Sequence, residues 1–168
     1  INPIQLMQEF GADAIRWYLL AVSPPWIPTK FDEKGVIEIV NKFVGTLKNV
    51  YSFFVTYANI DQFSAREQDI PSIRENEIDQ WIISRLHTLI KQVTNDTNAY
   101  ELTRAVRGIQ NFVIDDLSNW YVRRSRRRYW EMTLTRDKQD AYLTLWEVLI
   151  KVSRLMAPFA PYLSEEIY

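Results

Sequence analysis

The residues best placed to do chemistry are arginines. Residues 104–136 hold eight of them against three acids, Asp115, Asp116 and Glu131, a local +5 within a chain of net charge −1. Their centre is the stretch 119–130, Asn-Trp-Tyr-Val-Arg-Arg-Ser-Arg-Arg-Arg-Tyr-Trp. Guanidinium forks grip phosphate oxygens, and exposed aromatic faces take unstacked bases, so a surface of this composition suits RNA. The same run could instead be satisfied inside the protein, since an unpaired guanidinium is too strongly hydrated to be buried alone. Asp116, Glu131, Glu147, Glu165 and Glu166 are the acids that would then meet it. Composition leaves both readings open.

Other chemistry is largely excluded. His87 is the single histidine, and nothing near it supplies an activated nucleophile for a Ser-His-Asp arrangement. Cysteine is absent, which removes disulfides and cysteine-ligated zinc from this span. Four scattered glycines (Gly11, Gly35, Gly45 and Gly108) cannot build a phosphate-cradling loop. Asp115 and Asp116 diverge by about 100° if helical and do not share a site. No metal or cofactor is therefore expected in this chain. No apolar run approaches the roughly 18 residues of a membrane span, so the expectation is a soluble, cytoplasmic protein without a membrane partner. Opening on Ile1 rather than Met, it reads as a piece of a longer protein.

The elements that must position the arginines are helical. With 47% hydrophobic and 24% charged residues, the chain can bury a core without staples. Apolar periodicity predicts a first helix over 3–22, ended by Ser23-Pro24-Pro25, and an irregular connector over 26–35. A second helix over 36–58 carries a seam of Val36, Val40, Phe43, Leu47, Val50, Phe54 and Tyr57, spaced for antiparallel bundle packing. Residues 62–75 read as a polar surface loop. A third helix begins at the N-cap Asn76, with the stripe Ile78, Ile82, Leu86, Leu89, Ile90 and Val93, and breaks at 95–98. A fourth starts near Tyr100, with Phe112, Val113, Leu117, Trp120 and Tyr121 on its buried side. Continued at three- and four-residue steps, that stripe reaches Arg124, Arg127 and Arg128, which should be paired with Asp116, Glu131 or an acid of the fifth helix. Arg123 and Arg126 should face out. The fifth helix covers 137–156, and 162–168 begins another that is cut short. The fold class is all-α, a bundle of about five to six helices.

Several stretches carry a resemblance. Residues 2–20, Asn-Pro-Ile-Gln-Leu-Met-Gln-Glu-Phe-Gly-Ala-Asp-Ala-Ile-Arg-Trp-Tyr-Leu-Leu, resemble the segment after the KMSKS loop of class I aminoacyl-tRNA synthetases. Residues 156–166, Met-Ala-Pro-Phe-Ala-Pro-Tyr-Leu-Ser-Glu-Glu, resemble the end of their helical anticodon-binding domain. Ser23-Pro-Pro-Trp26, Tyr57-Ala-Asn-Ile-Asp61 and the stretch 115–130 are narrower and resemble the isoleucyl-tRNA synthetases. Lys48 departs from the family, where Trp is frequent.

The resemblance implies a tRNA anticodon-binding domain, non-catalytic by itself and monomeric. Its partners would be isoleucine tRNA and the catalytic domain of a parent ligase, where ATP and Mg²⁺ would be used. Residues 1–30 would form the junction and connector after that catalytic domain, with Asp13 and Arg16 locking the junction by an ion pair. Residues 31–168 would form the anticodon-binding bundle, truncated at its C-terminal end. The RNA contacts implied are Asn119, Tyr121, Arg123, Arg124, Arg126, Arg127 and Arg128, with Lys42, Lys48 and Asn49 on the second helix. The different-class alternative is a helical scaffold whose arginines are all paired internally.

Overall fold

Asn2, Asp32, Asn76 and Thr135 each accept a backbone N–H from the first turn of the helix that follows, at 3.1–3.2 Å. These caps fix helix starts at places the sequence marks with polar residues. A computed structural model describes residues 2–71 and 73–168. Among these, seven helices and a short 3₁₀ turn (Glu67–Asp69) make up the regular structure, with no strand.

Helices α1 (Pro3–Phe10) and α2 (Ala12–Val22) replace the single helix expected over 3–22. Gly11 separates them with φ +83°, a backbone conformation that a side-chain-bearing residue adopts with strain. Helix α3 is a continuous rod over 33–60, begun by Asp32 and containing a π-helical segment at Ile39–Val44. It starts three residues earlier than the apolar seam predicts. Gly35 passes under the ring of Tyr18 where no Cβ would fit, and the Tyr18 hydroxyl accepts the Asp32 N–H at 3.0 Å.

Helix α4 (Glu77–Asn98) runs straight through the break expected at 95–98 and ends at Ala99, with Tyr100 at φ +60° making the turn. Helix α5 is a second long rod, over 102–129, in three registers: α-helical Leu102–Asn111, π-helical Phe112–Val122 and α-helical Arg123–Tyr129. Helices α6 (Arg136–Met156) and α7 (Pro161–Ile167) complete the chain.

Side-chain pairings give the arrangement. Trp17 of α2 stacks on Phe43 of α3 at 4.3 Å and bonds Gln110 of α5 at 3.2 Å, while Phe53 of α3 meets Tyr129 of α5 at 5.0 Å. So α3 and α5 run in the same direction. Arg85 of α4 meets Asp116 while Asp79 meets Arg128, and Lys138 of α6 meets Asp61 while Tyr142 packs edge-on to Phe54, so α4 and α6 run antiparallel to them. The core between these four rods is apolar and continuous with that of α2, in which Trp17, Leu47, Ile82, Leu86, Ile109, Leu117 and Leu145 are at most 1% exposed. The ends of α3 and α5 and the starts of α4 and α6 therefore meet at one end of the bundle, and the arginine run emerges there.

Candidate nucleic-acid interface

The helix does continue through the arginine run, but its buried face is not the one a 3.6-residue repeat predicts. The Arg123 N–H reaches back to Ser118 O, the i→i−5 bond of a π-helix, and such turns are wider than α-turns. The buried positions consequently advance in fours: Val113, Leu117, Tyr121, Ser125 and Tyr129, with Val122 beside them. Trp120, expected in the core, is 49% exposed. Arg124 and Arg127, expected to lean inward, are exposed.

Arg128 is the one member of the run that turns in, its side chain 11% exposed. It donates to both carboxylate oxygens of Asp79 at 2.8 and 2.7 Å and to Asp137 at 2.7 and 2.8 Å. The Tyr121 hydroxyl donates to Asp79 Oδ1 at 2.7 Å, and Asn76 donates to Asp137 at 3.1 Å. Burial opposes the charge on Arg128, but the bonds to Asp79 and Asp137 outweigh it and its pKa is raised. Burial pushes the Tyr121 and Tyr129 phenols well up. Two of the expected RNA contacts are thereby corrected. Tyr121 is wholly buried, and Arg128 is saturated by acids.

Of the partners expected, only Asp137, an acid of the fifth predicted helix, meets Arg128; Asp116 and Glu131, also expected, do not. Asp116 pairs instead with Arg85 at 2.8 Å, and Glu131 accepts from Thr135 at 2.9 Å. Asp79 lies in the first turn of α4. The signal it carries is register: Asp79, Ile82, Leu86, Leu89 and Val93 form the buried seam of α4, and a carboxylate on such a seam requires a partner.

Lys138 repeats the pattern on α6, in step with Ala141, Tyr142, Leu145 and Val148. Its ammonium meets Asp61 at 2.6 Å and the Glu131 carbonyl at 2.7 Å, and Tyr142 donates to the same Asp61 carboxylate. Arg74, in the segment expected to be a polar surface loop, is buried against Thr144 and Glu147.

Four guanidiniums remain for solvent. Among the described residues, no acid forms an ion pair with Arg123, Arg124, Arg126 or Arg127. Asn119 lies on the same exposed side of α5. The guanidinium of Arg124 stacks over Trp120 at 4.6 Å, and Trp81 of α4 lies 6.2 Å from Trp120. Trp130, 57% exposed, closes the run with its indole N–H fixed on the Tyr57 hydroxyl at 2.7 Å. The internally paired alternative thus describes Arg128 and not its four neighbours.

The second-helix candidates lie elsewhere. Lys42 bonds Glu38 at 2.6 Å and shares a cleft with Arg107 and Gln110, about 20 Å along the rods from Tyr57 at 1.5 Å per residue. Lys48 lies 3.4 Å from Glu166, and Asn49 is exposed. Among the described residues, Asp13 and Arg16 form no ion pair. Asp13 accepts the Leu163 N–H at 2.7 Å at the start of α7, and Arg16 donates to the carbonyls of Phe159 and Pro158 at 3.1 and 3.2 Å. Both tie α2 to the last segment of this chain. No cluster of three or more His, Asp or Glu side chains able to hold a metal occurs among the described residues.

Comparison with known proteins agrees with this architecture. The family described as the anticodon-binding domain of tRNA ligase matches residues 79–168. Over all 168 residues the chain is 48% identical to the isoleucine–tRNA ligases of Porphyromonas gingivalis and Clostridium acetobutylicum. It spans only 15% and 16% of their lengths. Among solved structures, free methionyl-tRNA synthetase of Mycobacterium tuberculosis superposes with a TM-score of 0.79 at 17% identity, covering 99% of this chain and 34% of that one. The agnB2 leucyl-tRNA synthetase of Agrobacterium radiobacter K84, solved as a ternary complex with tRNA and LeuAMS, gives 0.70 at 23% identity, covering 99% and 18%. At these identities the superpositions speak to the fold.

Proposed function

The chain belongs to the anticodon-binding domain family of tRNA ligases, and on that premise we propose that it is the RNA-binding bundle of an isoleucine–tRNA ligase. The observation that carries the reading is the row of four acid-free guanidiniums on α5, at a bundle end whose other cations are already paired. Phosphates of the anticodon stem and loop are held by Arg123, Arg124, Arg126 and Arg127, with Asn119 donating or accepting beside them. Asn49 and, after release from their acids, Lys42 and Lys48 are secondary contacts on another part of the surface.

In the parent enzyme, isoleucine is activated with ATP and Mg²⁺ and transferred to its tRNA by a catalytic domain outside this chain. Residues 1–30 form the junction to that domain, and residues 31–168 hold the tRNA. The parent acts in the cytoplasm as a monomer. Among the described residues no helix is long and apolar enough to cross a membrane.

Titration with isoleucine tRNA over a salt series tests the reading. The expected result is a log–log slope of about −0.7 to −0.9 for each phosphate held. Binding that does not change with salt, or none at low salt, overturns it.

A further inference from the structure

Resting on the junction role proposed for residues 1–30, we infer that the junction pivots at Gly11: α1 is a helical arm that swings as a body, while α2 moves rigidly with the bundle. The tethers all lie on one side of that glycine. Just after it, the Asp13 carboxylate accepts the Leu163 N–H of α7 at 2.7 Å, and Arg16 donates to the Phe159 and Pro158 carbonyls at 3.1 and 3.2 Å. Trp17 is 1% exposed, stacked on Phe43 of α3 and bonded to Gln110 of α5. The last carbonyls of α2 are occupied as well. Leu20 accepts from the Thr103 hydroxyl at 2.8 Å, and Ala21 and Val22 accept from the Arg107 guanidinium at 2.7 and 3.0 Å. Both ends of α2 are therefore fastened, one to the start of α7 and the other to α5.

Before Gly11 nothing comparable holds. Among the described residues, no side-chain hydrogen bond or ion pair joins α1 to another element; Asn2 caps its first turn, and the Gly11 N–H closes on the Met7 carbonyl at 3.0 Å. Leu6 is its one buried side chain, Phe10 is half-buried, and Ile4 and Met7 are exposed. Gly11 itself has φ +83° and ψ 147°, a region occupied by glycine and little else, and glycine reaches φ of either sign at similar cost. An apolar cleft of about 420 Å³, lined by Phe10, Val44, Lys48, Tyr162 and Leu163, lies beside it. Phe10 has room to shift along that cleft, which a filled core would deny it. Hinges are built in this way, from a few element-terminal residues that absorb a large change in φ and ψ. The rigid unit thus begins at residue 12. A domain joined through α1 can reorient against the bundle by rotation at one residue, with no bond of α2 broken.

Residual dipolar couplings and amide exchange of the 168-residue chain, weakly aligned in solution and without RNA, test this. Couplings of residues 12–22 should fit the same alignment as those of the bundle helices. Those of residues 4–10 should fit one helix orientation among themselves, uniformly reduced in size, with the amides of its second turn still protected from exchange. The break between the two sets should fall at Gly11. One alignment shared by residues 4–22 and the bundle overturns the inference. So does a break after Val22, which would place α2 with the arm instead of the bundle. Couplings near zero with unprotected amides throughout residues 4–10 would describe a frayed end and not an arm, and overturn it as well. Because the hinge is read without RNA, failure of the RNA-binding reading in the salt series is a separate result and leaves the hinge standing.

Discussion

Arg128 of α5 grips Asp79 of α4 through two parallel hydrogen bonds of 2.8 and 2.7 Å, joining residues from the end of one rod and the start of its antiparallel neighbour. Asp79 is wholly buried and accepts from Tyr121 as well. The pair fixes the direction in which α5 leaves the bundle, and with it the side on which the remaining arginines emerge.

Breaking that pair from one side should be severe. R128A leaves a buried carboxylate without its cation and should lower stability by about 3–5 kcal/mol. The double variant R128M/D79L removes both charges and should be less destabilised than R128A alone. Denaturant unfolding of R128A and of the double variant measures this, and a double variant no more stable than R128A would contradict it.

The exposed arginines should behave in the opposite way. R123A, R126A and R127A should each change stability by no more than about 0.5 kcal/mol. Each should weaken tRNA binding and lower the magnitude of the salt slope by about 0.7–0.9. A thermal shift as large as that of R128A in any of them would place that side chain in the structural network instead.

Acid should loosen the arginine end first. Burial by itself would raise the Asp61 and Asp137 carboxyls, but the bonds from Lys138 and Tyr142 to Asp61, and from Arg128 and Asn76 to Asp137, outweigh it and hold both below the ordinary range. A carboxyl depressed in the folded state stabilises at pH above its unfolded pKa, about 3.9, and that stability is lost as pH falls through the folded value. Unfolding free energy measured from pH 6 to pH 2 (about 4 units of pH, spanning the aspartate range) should fall, and D61N and D137N should each flatten the decline.

Alkali has the reverse sign. Burial raises the Tyr121, Tyr129 and Tyr142 phenols in the folded state. Their neutral forms stabilise the fold fully below the unfolded pKa of about 10, and this contribution is lost as pH rises toward the folded values. Ultraviolet titration should show these tyrosines ionising only as the helical circular dichroism disappears. Ionisation of all nine tyrosines in the native chain near pH 10 (about the value for a free phenol) would contradict it.

Gly11 isolates a backbone effect. A Cβ there would meet nothing within 4 Å, so G11A introduces no clash, only the strain of φ +83°. The expected loss is about 1–3 kcal/mol, with α1 the helix that loosens. Faster amide exchange in α1 than in α2 would locate the change, and an unchanged melting temperature would count against the strain.

The sequence by itself determined the helical class, most helix starts, the apolar seams and the position of the arginine run. These are local properties. A capping side chain acts on the next turn, and a seam repeats every three or four residues whatever it packs against. The narrow motifs at 57–61 and 115–130 were also visible, though not their roles. In the fold, Asp61 is the counterion of buried Lys138, and the 115–130 stretch divides into a core face and a cationic face. Which arginine belonged to which face was decided by tertiary structure. An α-helical repeat assigned Arg124 and Arg127 to the interior and Trp120 to the core. The π-wound segment widened the turns and placed Ser125 and Tyr129 there instead, leaving Trp120 on the surface. The partners of Arg128 were likewise settled only when α4 and α6 came to lie against the end of α5. Long-range ion pairing depends on which helix ends meet, and no local periodicity contains that information.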